Sequence, residues 1–165
     1  MNKCYAGIGA RKTPDNVLEL MEWTGLLMSM KGYCLRSGAA NGADSAFEYG
    51  CDKGEKLKEI FTAKSNIPQW AFDTVDKYHP SPSKLSDYVK RLHARNAMIL
   101  LGQHGDNPVE FVVCWTPNAS VTGGTGQALR IANDKGIKVY NLGDSGVFAR
   151  FNMRVKELDE ECLSS

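Results

Sequence analysis

The 165-residue chain sets 20 lysines and arginines against 19 aspartates and glutamates, with 42% apolar and 24% charged residues. That composition excludes a disordered or fibrous chain, and the near-zero net charge excludes a basic field covering the whole surface of the kind that grips nucleic-acid backbones indiscriminately. The length suits one domain over residues 1–165, no apolar run reaches membrane-spanning length, and nothing at the start resembles a leader, so a cytoplasmic protein with no membrane partner is expected.

Lys3 to Ile8 reads as a first strand ending in a glycine turn, and Pro14 to Lys31 as an amphipathic helix. Thr13 is the expected cap of that helix, Pro14 its first residue and Gly32 its stop. Tyr33 to Arg36 is a short second strand, Ala43 to Lys53 a second helix and Leu57 to Thr62 a third strand. From Ala63 to Pro82 three prolines surround a short helical piece near Trp70 to Tyr78, and a longer helix runs from Lys84 to about Leu101. Phe111 to Trp115 is a continuous apolar run fit for a central parallel strand. The helix Gln127 to Lys135, a fifth strand from Ile137 to Asn141 and a terminal helix from Val147 to Leu158 complete the chain. Strands alternating with helices imply right-handed crossovers, hence a Rossmann-like three-layer α/β fold with a mainly parallel sheet of about five strands.

Cys4, Cys34, Cys51, Cys114 and Cys162 are odd in number and lack C-x-x-C spacing, so they read as buried thiols in a reducing compartment. His79, His93 and His104 show no metal spacing either, and neither a metal nor a cofactor is expected.

Ligands of open parallel sheets bind beyond the carboxyl ends of the strands, where glycine-rich turns lead into helices whose free N–H groups favour anions. Three segments of this chain fall there. They are Gly7-Ile8-Gly9-Ala10-Arg11-Lys12 after strand one, Ser37 to Gly42 after strand two, and Thr122-Gly123-Gly124-Thr125-Gly126 after strand four. Thr116, past the fourth strand, and Gln127, after the last glycine, join them as candidates. None matches a P-loop or a full dinucleotide fingerprint, so the argument rests on their convergence.

The ordered segments GIGARKTP, SGAANGADSAFEYG, LHARNAMIL and TGGTGQALRIANDKGIKVYNL resemble the SLOG superfamily, which includes DprA-like, LOG-like and YspA-like proteins. The YspA-like branch is the most similar, through Gly42-Ala43-Asp44 with Glu48 and through Arg95-Asn96 with Met98. The resemblance implies a nucleotide pocket lined by Arg11, Ser37, Gly38, Gly42, Asp44, Arg95, Asn96 and Gly123 to Gly126. It also implies a cytoplasmic protein of bacterial or phage origin, of the kind found in defence systems, that associates with itself. Asp44 is then a partner for a ribose hydroxyl or a brace for its loop, and Arg95 a two-pronged phosphate ligand. Trp23, Trp70 and Phe72 offer an apolar patch for a homodimer or higher homo-oligomer.

LOG-type phosphoribohydrolases carry two glutamates where this chain has Leu129 and Arg130, and cleavage of a glycosidic bond needs a carboxylate beside the developing positive charge. The leading reading is therefore a small-molecule, phosphorylated nucleotide bound without turnover: a nucleoside monophosphate, an ADP-ribose derivative or a cyclic nucleotide. An N-glycosidase or deoxyribosyltransferase using Asp44 and Glu48, a turn apart, is the enzymatic alternative. Single-stranded DNA binding in the DprA manner is a third reading, weighed against the near-neutral charge.

Overall fold

The computed structural model describes residues 3–164. Five short strands, β1 (Cys4–Gly7), β2 (Cys34–Ser37), β3 (Lys58–Ile60), β4 (Phe111–Cys114) and β5 (Lys138–Asn141), form one sheet in the order β3-β2-β1-β4-β5, and every pairing is parallel. The chain therefore winds outward from β1 in one direction and then, through β4, in the other. The expected Rossmann-like architecture is the one found.

Side chains alternate along each strand, and the sheet buries both faces. Cys4, Ala6, Val112 and Cys114 face one core, closed by α3 (Gln69–Tyr78), α4 (Asp87–Leu101) and α5 (Gly123–Asp134). Tyr5, Leu35 and Val113 face the other, closed by α1 (Asp15–Met30), α2 (Ala43–Lys53) and α6 (Ser145–Ser164). On that second face α1 and α2 approach backbone to backbone. A Cβ on Gly50 would lie 1.9 Å from the Glu22 carbonyl oxygen, and one on Gly25 2.3 Å from that of Phe47.

Several boundaries differ from the sequence reading for local reasons. Thr13 does not cap α1: its hydroxyl donates to the Ala10 carbonyl at 2.6 Å, and Pro14 takes the N-cap position. Gly32 does end that helix, at φ +84°. Lys84 belongs to a separate 3₁₀ turn (Pro82–Lys84), and α4 starts after Ser86, whose hydroxyl accepts from the Val89 amide. The glycines expected to precede α5 form its first turn instead, because terminal positions tolerate residues that would weaken a helix interior.

Trp23 is 43% exposed on α1, whereas Trp70 and Phe72 pack against the core of the opposite face. The Trp70 indole donates to the Gln103 carbonyl and lies over Gly105. The three aromatics thus form no common patch. Cys34, Cys51 and Cys114 are buried, and burial pushes the Cys34 and Cys114 thiols up to about 12. Among the described residues no helix is long and apolar enough to cross a membrane.

Candidate ligand-binding site

Because β1 lies between β2 and β4, the connections leaving β1 and β4 diverge at the carboxyl edge and open a crevice. A cavity of about 520 Å³ occupies it. Gly9, Ala10 and Arg11 from the loop after β1 form one wall, Thr116 follows β4, and Gly123, Gly124 and Thr125 form the start of α5. Asp44 from α2 and Arg95 and Asn96 from α4 close the base and far side. Arg11 is exposed at the mouth. The first helical bond of α5 runs from the Gly126 amide to the Thr122 carbonyl at 3.0 Å, so the amides of Gly123, Gly124 and Thr125 precede the intrahelical ladder.

Arg95 is a buried brace. Its Nη1 donates to the Gly38 carbonyl at 2.8 Å and to the Phe61 carbonyl at 3.0 Å, tying together the chain ends that leave β2 and β3. Its Nε donates to Asn96 Oδ1 at 2.9 Å, and Asn96 Nδ2 donates to the Gly124 carbonyl at 3.1 Å. Much of the expected two-pronged donor is thereby spent inside the protein, and Nη2 is the nitrogen left without a hydrogen bond among the described residues. Burial draws the guanidinium's pKa down, and Asp44 opposes that.

Asp44 performs the loop-bracing role. Its Oδ2 accepts from the Gly38 amide at 3.1 Å and the Ala40 amide at 3.4 Å, in place of capping its own helix. Burial raises its pKa to about 6, against the pull of Arg95 and of the amides of Ala40, Gly38 and Gly9. A side chain at Gly38 would displace this brace, since a Cβ would meet Arg95 Nη1 at 2.2 Å.

Glu48 is not brought to the cavity. Its carboxylate holds Lys58 at 2.9 Å, a lysine that also binds Asp52. Among the cavity-lining residues described, Asp44 is the one carboxylate. Gly7 packs against Phe47, Gly42 against the Arg11 backbone and Gly126 against Val121. Ser37 is buried with its hydroxyl donating to the Gly7 carbonyl. Gln127 is fully buried and accepts from Arg130. These residues support the crevice from behind. Leu129, one of the two residues standing where LOG enzymes have glutamates, lies in the core.

Outside the three glycine-rich segments, four lining residues were not among the candidates: Val89, Leu92, His93 and Pro117. Val89, Leu92, His93 and Asn96 follow the i, i+3, i+4, i+7 spacing of one helix face, a signal available in the sequence once Asn96 is placed. His93 is pushed down to about 4, mainly by burial and further by His79, Arg130 and Arg95, so it presents a neutral imidazole to the crevice at neutral pH.

No protein-family model matches the sequence, and no curated protein matches it. Solved structures do resemble the fold. One is the DNA processing protein A of Helicobacter pylori, described for its single-stranded DNA binding mode; it superposes with a TM-score of 0.58 at 13% identity, over 94% of this chain and 81% of that one. DNA processing protein A of Streptococcus pneumoniae superposes with a TM-score of 0.57 at 17% identity, over 86% of this chain and half of that one. At such identities the likeness is one of fold, and the fold is DprA-like.

Proposed function

We propose that this chain is a SLOG-type protein that binds single-stranded DNA, seating one phosphate-bearing nucleotide of the strand in the crevice. The observation that carries this reading is that Arg11, Arg95 and the first residues of α5 line one open cavity of nucleotide size. From the sequence a free nucleotide came first and DNA last. The shared fold of two DNA-processing proteins supports placing the DNA reading first. A free nucleotide is the second reading, favoured by a cavity large enough for a single unit.

The near-neutral net charge makes a specific demand of the DNA reading. With Arg11 and Arg95 on the one seated phosphate, the logarithm of affinity falls against the logarithm of salt with a shallow slope of about −0.7. No base release from nucleoside monophosphates is expected, because Asp44 is held by two loop amides and Glu48 by Lys58.

Fluorescence anisotropy with a labelled oligothymidine, titrated at several salt concentrations, tests the proposal. Binding with that slope supports it, and Gly124→Asp should weaken binding at least about tenfold by placing a carboxylate beside the phosphate. That variant should fold, since nothing lies within 4 Å of a Cβ at Gly124. If nucleoside monophosphates raise the melting temperature and oligothymidine does not bind, the free-nucleotide reading replaces this one. Should neither bind, the crevice is not the site.

A further inference from the structure

Residues paired in register on neighbouring strands, and residues two apart on one strand, share a face of the sheet. Cys4 pairs with Cys34 across β1 and β2, and Arg36, two residues beyond Cys34, pairs with Glu59 of β3. Four side chains from three strands are thereby gathered near the amino ends of β1 and β2, at the opposite end of the sheet from the crevice. Cys4 Sγ lies 3.7 Å and Cys34 Sγ 3.8 Å from the same oxygen, Glu59 Oε1, and the three atoms all lie within 4.8 Å of one another.

We infer that Cys4, Cys34 and Glu59 form a binding site for one thiophilic divalent cation, Zn²⁺. Tetrahedral zinc with Zn–S near 2.3 Å and Zn–O near 2.1 Å holds neighbouring sulfur and oxygen ligands roughly 3.6 Å apart, which matches the observed separations closely. The ligand types suit it as well, two soft sulfurs and a carboxylate. Glu59 is oriented from behind by Arg36, whose Nε donates to Oε1 at 3.1 Å while its Nη1 is fixed on the Asn107 carbonyl at 2.6 Å. Ligating carboxylates ordinarily have such a supporting partner.

Charge also balances. Zn²⁺ takes the place of the two thiol protons, which leave to solvent; two thiolates, one carboxylate, the guanidinium and the cation then sum to zero in a largely buried place. The Glu59 side chain is 44% exposed, so solvent reaches the cluster and a water can take the fourth position. The cluster's separation from the crevice makes this site independent of what the crevice binds.

The test is equilibrium dialysis of the reduced full chain against Zn²⁺ alone, with metal measured by mass spectrometry, and a parallel titration with Co²⁺. Retention of one Zn²⁺ per chain, with thiolate-to-cobalt charge-transfer absorption in the near ultraviolet, is the expected result. Cys34→Ser and Cys4→Ser should each weaken retention by about a hundredfold or more, whereas Cys162→Ser, on α6, should leave it unchanged. The cobalt spectrum needs no variant, so a serine variant that fails to fold does not remove the test. Absence of bound zinc, equal retention by the folded serine variants, a cobalt spectrum without thiolate bands, or recovery of Cys4 and Cys34 as a disulfide in place of metal would each overturn the inference.

Discussion

Replacing Asp44 with asparagine isolates the cost of burying a carboxylate under the crevice. Burial raises the Asp44 pKa from an unfolded value of 3.8 to about 6, so the folded protein holds the proton that the unfolded chain releases. The sign follows: the stabilising contribution of the neutral acid is complete below pH 3.8 and is lost as the pH rises through 6. Two pKa units amount to about 3 kcal/mol, of which about 2 kcal/mol is lost between roughly pH 4.5 and 7. Asparagine does not titrate. The stability of the native chain minus that of Asp44→Asn should therefore fall by about 2 kcal/mol over that interval, and the subtraction removes the contributions of His93 and other titrating groups. Urea unfolding of both proteins at the two pH values measures it. A difference that stays constant would refute the reasoning. So would one that grows with pH, which would make the pull of Arg95 and the loop amides stronger than desolvation.

Gly50→Ala forces its new methyl group into the Glu22 carbonyl at 1.9 Å, so α1 and α2 must separate. Overpacking of about 1–3 kcal/mol, only partly offset by better helix propensity, should lower the melting temperature by several degrees in a circular dichroism melt. Ser86→Ala removes the hydroxyl that accepts from the Val89 amide at 3.3 Å. It should cost about 0.5–1 kcal/mol, seen as faster hydrogen exchange in the first turn of α4, with the other helices unaffected.

What the sequence revealed and what it hid divide along physical lines. Apolar runs such as Phe111 to Trp115, and breaking residues such as Gly32, act over a few neighbours. They located the strands and α1 to α5 to within about four residues, whereas α6 continues to Ser164, past the expected end at Leu158. The placement of the crevice followed from strand–helix alternation, because parallel topology leaves loops at one edge. Partnerships between distant residues were hidden. Nothing near Arg95 in the chain reveals that it turns inward to the carbonyls of Gly38 and Phe61. Asp44 and Glu48 stand one turn apart, yet the shorter acid folds back on its loop while the longer reaches Lys58. The cysteines lack metal spacing along the chain because strand register, not sequence distance, sets Cys4 beside Cys34.

The central position of β1 also has a consequence in time. Ala6 pairs with Arg36 on one side and with Val112 on the other, so β1 gains its second neighbour only after roughly 100 further residues have been made. At typical synthesis rates of about 5–20 residues per second, that is a delay of roughly 5–20 s. During it the nascent β1-β2-β3 unit presents an unpaired β1 edge, which is a template for pairing with another chain. The vulnerable interval ends when β4 docks, and the crevice is complete once the start of α5 has followed it. A product truncated before Phe111 therefore has neither a closed sheet centre nor the part of the crevice that follows β4.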